Sequence, residues 1–274
     1  GNGEILDTIW EVSDHLWEQV WPVILEIDPP KFTGRKRVDA RRMLDGIIYR
    51  MRSGCQWNHL PKELGDDSTI HRTFQRWVEL GVLQRIWAVL VEGCDELGGV
   101  DWEWQSADCA MGKARLGDAI GPNPTDRGKA SSKRSVLVEA DGGPLSVVVA
   151  GANVHDTKLL EQTLENIVVT RPECAKEDTQ NLCLDKGYDN PTGRGAVAAH
   201  GYQPHIRRIG EEKLDNLGKK SNPARRWVVE RTLSWLSKCR GILVRYDKKA
   251  SNFLGLLQLA CALLWYRRQW RLLF

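Results

Sequence analysis

The spacing of apolar residues changes character at Gly98-Gly99, and that change constrains the fold more than any single motif. Upstream, the period is helical. Ser13-Asp14 precede His15-Leu16-Trp17-Glu18-Gln19-Val20-Trp21 as a capped amphipathic start, and Pro29-Pro30 end it. Met43, Leu44, Ile47, Ile48 and Met51 then recur at helical spacing across Asp39 to Arg52. Asp66-Asp67-Ser68 open a third helix that Gly81 closes, with Ser68 as a natural N-cap, and Val82 to Leu97 make a fourth. A turn before an Arg-bearing helix fits a helix-turn-helix DNA-binding unit, and a plain helical bundle equally well.

Downstream of the glycines the elements are short. Residues 102–110 read as a strand ending near Asp108, and 111–131 as a Gly/Pro/Lys/Arg-rich loop. Ser135 to Ala140 and Leu145 to Ala150 are strands joined by Asp141-Gly142-Gly143-Pro144, a strong hairpin signal. A helix from His155 to Val168 follows, then a buried strand Asn181-Leu182-Cys183-Leu184 running into Asp185-Lys186-Gly187-Tyr188. A helix near 192–200, a strand near 202–206 and two helices, about 223–240 and 251–272, complete the chain. This order describes an α/β layered domain with a mixed sheet. The expected division is a helical DNA-binding domain over 1–98 and a catalytic domain over 99–274.

At 274 residues, 42% hydrophobic, 27% charged and with mean hydropathy −0.41, the chain is neither disordered, collagenous nor membrane-spanning. The polar, acidic start Gly1 to Asp7 does not resemble a signal peptide, and the apolar run 253–266 is too short to cross a bilayer. Seven scattered cysteines without a Cys-x-x-Cys pair read as free thiols of a reducing cytoplasm. The net charge of +3 hides a division. From Gln203 onward sixteen lysines and arginines face five acids, a net +11; the first 202 residues carry 23 against 31, a net −8. A basic third on a mildly acidic remainder suggests a polyanionic partner, although solvated helix faces give the same pattern.

Three carboxylates stand out by context: Asp108 at a strand end, Asp185 where an apolar strand enters a Gly turn, and Glu230 within Arg225-Arg226-Trp227-Val228-Val229-Glu230-Arg231. On a helical wheel Glu230 is the sole acid of a polar arc shared with Arg226, Trp227, Arg231, Ser234, Ser237 and Lys238, a face able to meet DNA. The plainer reading is an exposed Glu230 paired with Arg226 at i,i+4. In-line attack on a phosphodiester uses two divalent ions held by converging carboxylates, and hard ions such as Mg²⁺ prefer oxygen ligands. Two acids on strand ends and one on a helix supply such a set.

At these residues the chain resembles the DDE transposases of bacterial insertion sequences, in insertion-sequence family five of the family-four-like superfamily. Ser53 to Pro61 looks like the Gly-Cys-x-Trp-x-x-Leu-Pro segment of the N-terminal domain; Gly121 to Lys129 with Lys133-Arg134-Ser135 looks like the Gly-Pro-Asn-Pro-Thr-Asp-Arg-Gly-Lys block. Ala150 to Asp156 is similar to the Gly-Ala-Asn-x-His-Asp block, Asp185-Lys186-Gly187-Tyr188 to the segment of the second catalytic acid, and Arg226 to Trp235 to that of the third. The resemblance implies an RNase H-like domain in which Asp108, Asp185 and Glu230 bind two Mg²⁺ ions, Mn²⁺ substituting. Asp108 would bridge both ions. The acids lie 77 and 45 residues apart, and the second spacing leaves no room for a sizeable domain inserted before the Glu230 helix. Pro223 and Ser237 stand where the superfamily signature has Tyr and Lys, with Lys238 one place late.

Around this set, Arg72, Gln75 and Arg76 on the presumed recognition helix suit major-groove readout, or form a solvated face. Arg127, Lys129, Lys133 and Arg134 are read as cations of the loop that, with Lys113 and Arg115, is expected to grip phosphates near Asp108. Tyr188 would line the DNA groove or pack. Trp227 could stack on a flipped base, and Arg226, Arg231 and Lys238 share its face. Asp156 is expected to cap the helix that begins there. Trp10, Trp17, Trp21, Trp87 and Trp265 occupy core-like positions. The resulting expectation is a cytoplasmic, nucleoid-associated transposase without a membrane anchor. It would act as a homodimer or higher multimer on double-stranded DNA, binding terminal inverted repeats, cleaving the element ends and joining the freed 3′-OH to target DNA. A domesticated DNA-binding regulator and an RNase H-like nuclease or resolvase are the rival readings.

Overall fold

The computed structural model describes residues 6–31, 33, 34, 36–173, 179–206 and 226–274. Cys174, the basic residues between 207 and 225 and the expected helix start at Pro223 lie outside them. The chain forms two compact units, Gly1–Gly99 with Leu236–Phe274, and Val100–Trp235. This differs from the expected boundaries, because the last 39 residues pack with the N-terminal helices instead of completing the α/β layer.

The first unit is helical. Helix α1 (Asp14–Ile27) starts at Ser13, whose hydroxyl accepts from the Leu16 N–H. Helix α2 (Ala40–Ser53) stops at Gly54, which adopts φ +68°. After two 3₁₀ turns, α3 (Asp67–Leu80) is capped by Asp66, whose carboxylate accepts from the Thr69 N–H at 2.8 Å. Ser68, the expected cap, sits inside the first turn. Helix α4 (Val82–Glu96) follows Gly81 directly. The carboxy-terminal helix of the chain explains the altered boundary. It is buried along much of its length, and a Cβ at its Gly255 would stand 2.5 Å from Val78 of α3. Only a bare backbone permits that approach, and Trp265, Leu256 and Leu257 are buried in the same core as Phe74, Trp77 and Trp87. Trp10 is 43% exposed, so it is not one of the core tryptophans.

The second unit is a mixed sheet with helices. Its strands are β1 (Trp104–Lys113), β2 (Gly121–Pro122), β3 (Ala130–Glu139), β4 (Pro144–Gly151), β5 (Asn181–Leu184) and β6 (Gln203–Ile206). The sheet order is β2-β3-β1-β5-β6, with β4 also on β3. Strands β2, β3 and β4 meet their neighbours antiparallel, whereas β1, β5 and β6 run parallel. Helix α5 (Asp156–Glu165) joins the sheet through Thr163, whose hydroxyl donates to Ser135 Oγ at 2.8 Å. Helix α6 (Pro191–Ala199) links β5 to β6, and α7 (Arg226–Ser237) carries Glu230. The hairpin appears as expected, and fully buried Glu139 ties its turn by accepting from the Asp141 and Gly143 N–H groups. In the first unit, α8 (Arg240–Leu243) and α9 (Ala250–Leu273) end the chain.

Candidate active site

The parallel ladder between β1 and β5 fixes two of the three acids. Its last matched pair is Ser106 with Cys183, and Asp108 and Asp185 each lie two residues further along. Two places preserve the side-chain alternation, so both acids leave their strands at the same level. Strand β1 itself continues to Lys113, because β3 still pairs with it there. Asp108 therefore lies just past the β5 pairing and still within its own strand. Its Oδ1 accepts from the Cys109 N–H at 2.7 Å, and Asp185 likewise accepts from the Lys186 N–H.

The third acid meets Asp185 through a shared cation. Arg226 Nε and Nη2 donate to Glu230 Oε1 at 3.1 and 2.9 Å, one turn along α7. Its Nη1 stands 3.3 Å from Asp185 Oδ1. The i,i+4 pair expected of an ordinary surface glutamate thus exists, extended to a second acid on another element. Burial pushes the Asp108 carboxyl up to about 6; the charges of Asp185 and Glu230 add to this, while the Cys109 N–H and Arg226 oppose it. Arg226 is itself held above its ordinary value: burial works the other way and is outweighed by the Glu230 hydrogen bond and the three carboxylate charges.

Among the described residues, no three acidic, histidine or cysteine side chains are gathered closely enough to hold a metal ion. The donor chemistry nevertheless suits a hard divalent cation. Three carboxylates from separate elements answer one positive charge, and Asp108 feels both of the others as like charges. Asp185 and Glu230 are about half exposed, so the cluster is open to solvent.

The remaining expected site residues divide by what they already hold. Tyr188 is 2% exposed, and its hydroxyl lies 3.4 Å from Cys109 Sγ, so it packs behind Asp108 and cannot line a groove. Lys133 is buried, donating to the Val154 carbonyl and to Asp156, and Arg134 is buried on the adjacent strand position. Neither can grip a phosphate from there. The sequence placed them in a loop, but β3 begins at Ala130. Arg127 and Lys129 do lie on the surface, Lys129 beside Asp126. The Arg231 guanidinium is sandwiched 4.7 Å from the Trp227 and Trp235 rings and donates to the Asp141 carbonyl. Trp227 is 54% exposed, and Lys238 is exposed.

In the helical unit Arg72 is exposed and Gln75 half-buried, whereas Arg76 Nε donates to buried Asp28 at 2.9 Å. Trp17, Trp21, Trp77 and Arg72 line a cavity of about 900 Å³ in this unit. His155, not Asp156, caps α5: its ring accepts from the Thr157 N–H while Asp156 turns to Lys133. Sequence reasoning missed the clasp between the hairpin turn and α7, where Thr232 Oγ1 donates to the Gly142 carbonyl at 2.6 Å. The two glycines of the turn were its only signal.

Comparison with known proteins decides the family. A family model described as "Transposase DDE domain" matches residues 94–265, well over half of the chain. The chain belongs to the DDE transposase family. It is a DNA transposase, and enzymes of this family work with a divalent metal. A second model, described as "Putative transposase of IS4/5 family", matches residues 12–87 of the same transposase. A protein named "Putative transposase for insertion sequence element IS402", from Burkholderia cepacia, is 34% identical over 146 residues, covering 53% of this chain and 67% of its own. The protein y4sN of Sinorhizobium fredii is 33% identical over 103 residues, 37% of this chain and 78% of its own. The solved Mos1 mariner paired-end complex with Mn aligns over 92% of this chain and 84% of its own at 9% identity, with a TM-score of 0.28. No described helix of this transposase is long and apolar enough to cross a membrane.

Proposed function

We propose that this transposase cleaves DNA at the ends of its element and joins the freed 3′-OH to target DNA, with Asp108, Asp185 and Glu230 as its catalytic acids. The observation that carries the reading is that Arg226 holds both Asp185, just past the end of β5, and helix-borne Glu230, while Asp108 of β1 feels the charges of all three. Asp108, Asp185 and Glu230 would hold Mg²⁺ or Mn²⁺, two ions in the full site. Bound metal supplies Lewis-acid stabilisation of the phosphoryl oxygens and an activated water. The chain's own groups orient and exclude. Burial around Asp108, with Tyr188 packed behind it, keeps water from one side of the cluster. The hairpin clasp fixes α7, and therefore the reach of Glu230.

The helical unit is the proposed reader of the terminal inverted repeats, with exposed Arg72 and half-buried Gln75 as its base- or phosphate-contacting residues. Arg127, Lys129, Trp227 and Lys238 offer further DNA contacts. Concerted cutting of two ends calls for a dimer or larger assembly, acting in the cytoplasm at the nucleoid.

The test uses the full chain and a duplex carrying the DNA that flanks the reading frame. Nicking with 3′-end joining in Mn²⁺ or Mg²⁺, abolished by EDTA, is expected. Replacing any one of the three acids by alanine should lower the rate by 10³ or more, a loss on the order of 4 kcal/mol of barrier stabilisation, while DNA binding persists. Cleavage that survives loss of Asp185 or Glu230 would overturn the assignment. Repeat binding without any cleavage would favour a regulator.

A further inference from the structure

We propose that Arg226 is a placeholder cation, occupying the charge position among the acids that a divalent ion takes and yielding it when the ion binds. The inference rests on the reading of Asp108, Asp185 and Glu230 as the metal-binding acids and concerns how that site is regulated. All three guanidinium nitrogens are committed, Nε and Nη2 to Glu230 and Nη1 to Asp185. The fork therefore ties β5 to α7 across the space that a metal bridging these carboxylates has to enter. Among the described residues no three donors are gathered for a metal ion, and two of the acids, Asp185 and Glu230, are arranged instead around a planar, multi-nitrogen cation.

Charge matters as much as space. With Arg226 in place the three ionised acids and one guanidinium carry a net −2; without it they carry −3. Removing Arg226 strengthens the attraction for a divalent ion and frees the oxygens it holds. The side chain is one-third exposed and rooted in the first turn of α7, so it can swing toward solvent without disturbing the helix. The arrangement is a latch: the acids stay paired and harmless until metal, arriving with DNA phosphate to receive the displaced guanidinium, takes over. A transposase that holds its ions weakly in the absence of DNA avoids hydrolysing DNA at random.

The experiment measures Mn²⁺ binding to the full chain, without DNA, by the loss of the free-ion electron paramagnetic resonance signal. Arg226→Gln should bind Mn²⁺ at least tenfold more tightly than wild type, and Arg226→Lys should fall between them. Mn²⁺ should also raise the melting temperature of Arg226→Gln more than that of wild type, which checks that the variant is folded. Equal or weaker Mn²⁺ binding by Arg226→Gln, with binding still abolished by Asp185→Asn, overturns the latch and leaves the metal site standing. Binding that is indifferent to Asp185→Asn and Glu230→Gln in every background overturns the metal site itself, and the latch with it.

Discussion

Thr232 Oγ1 donates to the carbonyl oxygen of Gly142 at 2.6 Å, joining the turn of the β3–β4 hairpin to the helix that carries Glu230 two residues earlier. Gly142 sits at φ +89°, and a Cβ there would lie 2.8 Å from that hydroxyl. Gly142→Ala therefore strains the backbone and pushes α7 away from the turn. We expect a loss of about 1–3 kcal/mol in urea unfolding. Cleavage should fall further than the unfolded fraction accounts for, because Glu230 moves with its helix. Thr232→Val, which keeps the shape and removes the hydrogen bond, should cost about 1 kcal/mol. An alanine at 142 with wild-type stability and rate would show that the clasp does not position Glu230.

How far the sequence revealed this architecture can be argued from the same residues. Asp141-Gly142-Gly143 announced the hairpin because only glycine-rich turns reverse a strand so tightly, and the run Leu182-Cys183-Leu184 announced a buried strand. The three acids could be singled out because each sits beside a local sequence signal, an expected strand end or a helical face. Arg226 was legible only as the partner of Glu230, since a sequence period relates residues of one helix and cannot show that Asp185 meets the same guanidinium. Lys133 and Arg134 were misread as loop cations because Ser131 and Ser132 carry no strand signal. What extends β3 through them is register with β1, a long-range property. That the C-terminal helix packs in the N-terminal unit was hidden for a similar reason: Gly255 reads as a flaw in a helix until Val78 is seen against it.

Asp108 makes the stability of the ion-free chain depend on pH. Its carboxyl titrates near 3.8 in an unfolded chain and at about 6 here, chiefly through burial. Between those values the folded state holds a proton that the unfolded state has lost, so stability rises as pH falls from 7 toward 4. Asp108→Asn should remove this slope and stabilise the metal-free protein at pH 7 by about 2–3 kcal/mol. Thermal unfolding in EDTA across pH 4–8 reads both effects. The same substitution should abolish cleavage, so stability and activity move in opposite directions, as they do where an acid is kept for its charge and not for the fold. A flat pH profile in wild type would contradict the perturbed carboxyl.

Lys133 and Arg127 should separate structural from DNA-facing cations of the same basic segment. Lys133 Nζ donates to the Val154 carbonyl at 2.6 Å and to Asp156, and its side chain is 7% exposed. Lys133→Ala should cost about 2–4 kcal/mol, because it strips a buried cation from a carbonyl and a carboxylate. Arg127 is exposed, so Arg127→Ala should leave unfolding within about 0.5 kcal/mol of wild type. DNA affinity, measured by fluorescence anisotropy on folded protein, should drop for Arg127→Ala and hold for Lys133→Ala. The reverse ranking would mean that Lys133 leaves its partners to reach DNA.

Arg72 and Arg76 lie one turn apart on α3 and should behave in opposite ways. Arg76 is held by Asp28, whose buried carboxylate also accepts from the Trp77 indole N–H at 2.9 Å and from Arg37. Burial raises the Asp28 carboxyl, but these hydrogen bonds and charges outweigh it and hold the group below its ordinary value. Removing Arg76 withdraws one partner from a buried anion, so Arg76→Ala should destabilise the chain by about 1–3 kcal/mol. It should leave the salt dependence of DNA binding unchanged. Arg72 is exposed and hydrogen-bonded only locally, to Thr69. If it contacts a phosphate, Arg72→Ala leaves stability untouched and lowers the slope of log affinity against log salt by about 0.9, the counterion release of one contact. If it reads a base edge, the slope stays and discrimination at one base pair falls by about 1–3 kcal/mol. A salt titration on specific and scrambled duplexes distinguishes these outcomes. An Arg72 variant indistinguishable from wild type on both duplexes would remove α3 from the DNA interface altogether.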